Sequence, residues 1–234
     1  MIFEEIQKKV RKHADRDKAE VLKRFFKTGP GQYGEGDVFL GIPVPALRKI
    51  SQECRNTSVA DMTRLLRSSM HEERVLALFL LVDAYARGDD VTKKKIYSLY
   101  LKNTRYINNW DLVDLSAPNI VGQHLMDKDR KPLYRLATSG DLWKKRIAIL
   151  ATFTFIRQND FADSLNIAQL LLSDEHDLIH KAIGWMLREV GKRDLQSEEK
   201  FLRRHYRIMP RTMLRYAIER FPERKRKKYL EGKM

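Results

Sequence analysis

One cysteine, Cys54, in 234 residues excludes an intramolecular disulfide framework, and with only six histidines there is little material for a thiolate metal site. A reducing, intracellular setting is expected. Nowhere do about 18 apolar residues run uninterrupted, and the first stretch, MIFEEIQKKVRKHA, is charged every few positions. Neither a membrane span nor a signal peptide is therefore expected. Strand-like alternation with hairpin signals is missing as well, which argues against a β fold. Acids are in deficit: 31 Asp and Glu stand against 46 Lys and Arg, a formal net charge of +15. A chain this basic attracts polyanions, with nucleic acid first among them because each neutralised phosphate releases counterions. General solubility is the plainer reading of the same charge.

What is present is helical. Apolar residues recur at three- and four-residue spacing, as in Val75, Leu76, Leu78, Phe79, Val82 and again in Ile147, Ile149, Leu150, Phe153. Breaks fall at TGPGQYGEGD, RGDD, MDKDRKP, SGDL, SDEHD, GKRD and MPRT. The pattern predicts about a dozen short helices. The strings SVADM, DDVTK and SGDLW each offer an Asp or Ser to cap a first turn. With 43% apolar residues a continuous core is available, and a single domain over residues 1–234 is expected.

The helices repeat. Ala77-Leu78, Ala148-Ile149, Ala182-Ile183 and Ala217-Ile218 recur at intervals of about 35 residues or twice that, and the gap predicts a missing member at Leu112-Val113. Each unit would be a helical hairpin stacked on its neighbours, giving an all-α, α-solenoid fold of HEAT-like repeats with a basic concave groove. Arg74, Arg146, Lys181 and Arg215 lie just upstream of four of these pairs and are candidate groove cations. The fifth unit, NNWDLVDLSAP, carries two acids and no base. Asp111 falls in the first turn of its helix, where the macrodipole favours a carboxylate. Asp114 lies deeper, among Leu112, Val113 and Leu115, where an unpartnered acid is costly. Either it pairs with an Arg of the next repeat, or it marks a site. Pro118 cannot donate to the carbonyl of residue 114, so the helix should open there.

Five ordered strings, FFKTGPGQYGEGDVFLGIPVP, NNWDLVDLSAPNIVG, LWKKRIAILATFTFIR, HKAIGWMLREVGKRD and MPRTMLRYAIERF, resemble the AlkD-type DNA alkylation repair glycosylases from about residue 15 to near the C-terminus. The resemblance implies an enzyme that hydrolyses the N-glycosidic bond of N3- or N7-alkylated purines in double-stranded DNA without flipping the lesion into a base pocket. No cofactor or metal is implied, a monomer is expected, and so is a cytoplasmic location, nucleoid-associated when DNA is bound. In that family the acid is the second Asp of W-D-x-V-D, here Asp114. The flanking indoles correspond to Trp110 and Trp185, and the phosphate-holding cations to Arg146 and Arg188, with Lys181, Arg74 and Arg215 added from the repeat. The family's Tyr on the second helix is replaced by Phe25, so its hydroxyl role is not carried over; Tyr33 of the Gly-rich loop is the nearby substitute. The alternative reading is a non-catalytic HEAT-repeat scaffold that binds DNA or RNA.

Four further patterns carry less. GPGQYG satisfies G-x-G-x-x-G but follows KAEVLKRFFK, which reads as helix and not strand. His176 and His180 have the spacing of a zinc helix without a third ligand, so capping or exposure is the expectation. Trp143 reads as structural, and the tail ERFPERKRKKYLEGK either as a solvated basic end or as one that adds phosphate contacts.

Overall fold

The computed structural model describes residues 2–234, and it is helical throughout, with no strand among the described residues beyond one isolated bridge between Val38 and Met70. The chain divides into two compact units, Met1–Ser116 and Ala117–Met234. The first contains α1 (Phe3–Arg11), α2 (Arg16–Phe25), α3 (Val44–Glu53), α4 (Val59–Leu66), α5 (His71–Arg87), α6 (Asp90–Lys102) and all but the last residue of α7 (Trp110–Ala117). A π-helical turn at Pro118–Gly122 opens the second, followed by α8 (Lys131–Ala137), α9 (Leu142–Ala151), α10 (Phe153–Arg157), α11 (Ala162–Leu170), α12 (Asp177–Gly191), α13 (Leu195–His205), α14 (Arg211–Ala217) and α15 (Glu223–Leu230).

The expected caps are made. Ser58 accepts from the Asp61 amide at 3.1 Å, Asp89 from Thr92 at 2.8 Å and Asp141 from Lys144 at 2.9 Å, each satisfying an otherwise orphan donor. One expected helix is two: the run from Ile147 to Phe153 breaks at Thr152, whose hydroxyl turns back to the Ile149 carbonyl at 2.7 Å, and α9 gives way to α10.

The repeat is visible in burial. All ten residues of the five pairs, Ala77-Leu78, Leu112-Val113, Ala148-Ile149, Ala182-Ile183 and Ala217-Ile218, are fully buried. Each pair is the stripe by which its helix meets its neighbours, and full burial of one Leu or Ile stabilises by about 1.5–3 kcal/mol. Within the first unit α5 packs on α3, α4 and α6; within the second α12 packs on α9, α13 and α14. This is the layout of an α-solenoid-like repeat fold. Close approach of α12 to α14 requires Gly184, where a Cβ would stand 2.5 Å from the Met213 carbonyl oxygen. The basic tail is docked, not loose: α15 is anchored by Tyr229, buried edge-on against Tyr206 and Phe221.

Candidate functional site

The start of α7 is built from polar side chains that hold the backbone. Asn109 accepts the Trp110 amide at 2.8 Å through Oδ1 and donates through Nδ2 to Asp37 at 3.0 Å. Asp111 accepts the Leu112 amide at 2.9 Å through one oxygen and a bond of 2.8 Å from His71 Nε2 through the other. Asp114 lies one turn beyond Trp110, on the same helix face, and is half-buried, while Leu112 and Val113 turn fully into the core. Burial first, and the charge of Asp114 in addition, push the Tyr100 phenol far above its ordinary range; its hydroxyl is 2.9 Å from Ser116 Oγ. The opening expected at Pro118 is present as the π-helical turn, a distortion often found at functional sites.

Beneath α7 lies a cluster that the sequence did not announce. The first turn of α5 reads His71, Glu72, Glu73, Arg74, and all four are buried. Charged groups survive burial only when paired, and each of these has its own set of partners. Glu72 accepts the amides of Leu40, Gly41 and Ile42 at 2.8, 2.7 and 3.2 Å. Glu73 accepts from Gln7, Arg11 and Ser68. Arg74 donates to Asp37 at 2.5 Å and to the carbonyls of Ser68 and Ser69. His71 bridges Asp37, 3.2 Å from Nδ1, and Asp111. Burial alone would lower the His71 pKa, but the bonds to Asp111 and Asp37 outweigh it and raise it to about 9. For Asp37 burial acts upward, and His71, Arg74 and Asn109 together prevail, drawing its pKa down to about 2.

Trp110 forms the aromatic side of this region. Its indole stacks on Phe26 at 5.2 Å and 22°, with the edge of Phe25 at 5.9 Å. Together with Val21, Leu22, Phe39 and Leu47 these rings line an apolar cavity of about 460 Å³ that reaches His71 and Asp111. Phe25 is 60% exposed at its rim. The GPGQYG segment runs in the loop between α2 and Asp37; helix precedes it, so the dinucleotide reading fails.

The model of a family described as DNA alkylation repair enzyme matches residues 6–221. The chain belongs to that family. Among solved structures it is similar to one titled as a predicted DNA alkylation repair enzyme from Enterococcus faecalis, with a TM-score of 0.69 and 17% identity over 90% of this chain and 98% of that one. At that identity the likeness speaks for the fold. No curated protein matches the chain significantly.

For a DNA alkylation repair enzyme the cations matter, and those singled out by the repeat occupy unlike surroundings. Arg74 is 5% exposed and bonded to Asp37 within the first unit. Arg146 is equally buried and donates to the Leu178 carbonyl at 2.6 Å, bracing the first turn of α12. Arg188 is held by Glu219, with little of its side chain exposed. Lys181 is 39% exposed beside Asp177 at 2.7 Å, and Arg215 is exposed. Trp185 is half-buried on α12, tilted against Phe153 at 5.8 Å, and donates to Glu189 at 3.1 Å. Trp143 is half-buried in the first turn of α9. His176 caps α12 by accepting the Leu178 amide at 3.1 Å, and His180 bonds the Asp174 carbonyl. Among the described residues no group of three or more His, Cys, Asp or Glu could hold a metal ion, and no helix is long and apolar enough to cross a membrane.

Proposed function

We propose that the protein is a DNA glycosylase that hydrolyses the N-glycosidic bond of N3- and N7-alkylated purines in duplex DNA, with Asp114 as its acid and no base pocket. The observation that carries this reading is the W-D-L-V-D string at the start of α7, in a chain whose family match spans residues 6–221. Alkylation at N3 or N7 leaves the purine cationic, hence a good leaving group that needs little acid catalysis. As the C1′–N bond breaks, the purine takes the bonding electrons and the sugar becomes oxocarbenium-like. A carboxylate fixed beside that sugar stabilises the charge that develops, and it orients the water that adds to C1′ and accepts its proton. The electron-rich face of Trp110 adds cation–π attraction that grows with the same charge, typically about 0.5–2 kcal/mol. Both effects favour the transition state over the bound substrate. Selection then rests on lesion charge, not base shape.

In the second unit the proposed DNA contacts are Trp185, Lys181 and Arg215, with Arg146 and Arg188 acting through the geometry of α12. Sequence-independent grip of this kind is salt-dependent through counterion release. The test is release of free 7-methylguanine or 3-methyladenine from methylated duplex DNA by the wild type and by Asp114→Asn. Release that Asp114→Asn abolishes, with DNA binding retained, supports the proposal; binding without any release by the wild type favours the non-catalytic scaffold.

A further inference from the structure

We propose that His71 is a positioning residue for this reaction: its two ring nitrogens hold Asp37, at the end of the Gly-rich loop, and Asp111, in the first turn of α7, so that loop and helix are locked in one register and Trp110 and Asp114 are presented at a fixed azimuth. The inference rests on the reading of Asp114 as the reacting carboxylate.

The geometry argues for a clamp and not a chance contact. His71 is 2% exposed, and its ring is sandwiched in orientation by Phe39, at 4.5 Å and 26°, and Phe26, at 5.0 Å and 40°. With the ring plane fixed, both nitrogen directions are fixed, and a carboxylate oxygen stands at the end of each, 3.2 and 2.8 Å away. Two carboxylates accept and cannot donate, so both bonds exist together only when both nitrogens carry hydrogen. The other groups facing the ring are the Arg74 guanidinium, 3.5 Å from Nδ1, and the Asn108 and Asn109 amides, which converge on Asp37; Glu72, next in the chain, is turned away onto the 40–42 amides. The cluster thus sets two cations against two carboxylates. A neutral imidazole would present a bare lone pair to Asp37 or to Asp111, and one of the two links would be lost. The pKa of about 9 says that the doubly protonated ring is the resting form at neutral pH.

Loss of the Asp111 link frees the first turn of α7 to rotate, and Asp114 stands one turn further along the same helix. Displacements on the ångström scale can cost about 100-fold in rate while leaving binding intact. Phosphate contacts elsewhere are untouched, so the effect belongs in the chemical step.

The experiment is single-turnover release of 7-methylguanine from a methylated duplex oligonucleotide as a function of pH, for the wild type and His71→Gln, with the Kd for the same DNA measured in parallel and the wild-type imidazole titrated by ¹⁵N NMR. The wild-type rate is expected to fall as pH rises through the His71 pKa of about 9, in step with the imidazole signal. His71→Gln is expected to lower the rate constant by about 10- to 100-fold, to leave Kd within about threefold, and to lose that alkaline limb. A rate for His71→Gln within about threefold of wild type, or an unchanged limb, overturns the positioning role. Should the variant not fold, the wild type alone decides, because a rate that stays flat while the imidazole titrates overturns it equally. A wild type that releases no base refutes the Asp114 reading itself, whereas release equal in wild type and variant refutes the clamp alone.

Discussion

Glu198 gives the sharpest stability prediction. It sits in the first turn of α13, 2% exposed, with its carboxyl against Gly191 and one oxygen, Oε1, without a hydrogen-bond partner among the described residues. Burial first, and the neighbouring Glu199 second, push its pKa to about 8 against the opposing pull of Arg188 and Lys225. The unfolded chain returns it to its ordinary 4.5. Between those two values the folded state binds the proton more tightly, so stability falls as pH rises, by up to 1.36 kcal/mol per pH unit. Below the lower value both states are protonated and the penalty is absent; above the upper one it is complete, at roughly 5 kcal/mol as a ceiling. Glu198→Gln mimics the protonated form in shape and charge. In urea denaturation the variant should match the wild type near about pH 4.5 and exceed it by about 2–4 kcal/mol near about pH 8.5. The same difference at both values would refute the argument, because a packing effect has no reason to follow proton binding.

Gly41 adopts φ +81°, and a Cβ there would collide with the Asp15 carbonyl and the Ala19 amide of α2. Gly41→Ala should therefore cost at least about 2 kcal/mol, read as a lower urea midpoint. Arg74→Met leaves Asp37 buried with His71 but without its guanidinium partner and should destabilise by about 3–5 kcal/mol, while the salt dependence of DNA binding by the folded fraction stays as in wild type. Arg215→Ala should do the reverse: unchanged denaturation, and a salt slope reduced by about 1. A reduced slope for Arg74→Met would return that residue to the DNA surface.

Much of the fold was legible because it follows local rules. Ser58, Asp89 and Asp141 cap where short polar side chains precede apolar periodicity, and the five small-apolar pairs announced the repeat that their common burial bears out. The split at Thr152 was not legible, since the competing hydroxyl bond turns on a single back-bonding side chain in an otherwise unbroken apolar run. Asp111 was read as a first-turn acid, and it is one, but its second oxygen serves His71 across 40 residues of chain. Such long-range pairing leaves no periodic trace. A signal did exist in HEERVLALFLLV: four polar residues opening a helix that is apolar on nearly every face must go inside with it, and buried charges require partners. Nor did equivalent places in the repeat carry equivalent exposure: Arg74 and Arg146 are buried whereas Arg215 is exposed, because burial at each place depends on what packs over it.

The proposed chemistry turns on Asp114, and the most direct measurement is the yield of free 7-methylguanine from methylated duplex DNA incubated with wild type and with Asp114→Asn at equal DNA occupancy. Release by the wild type that the isosteric, uncharged variant reduces by about 100-fold or more is the predicted result. Equal release by the two proteins, or none from either, would contradict it.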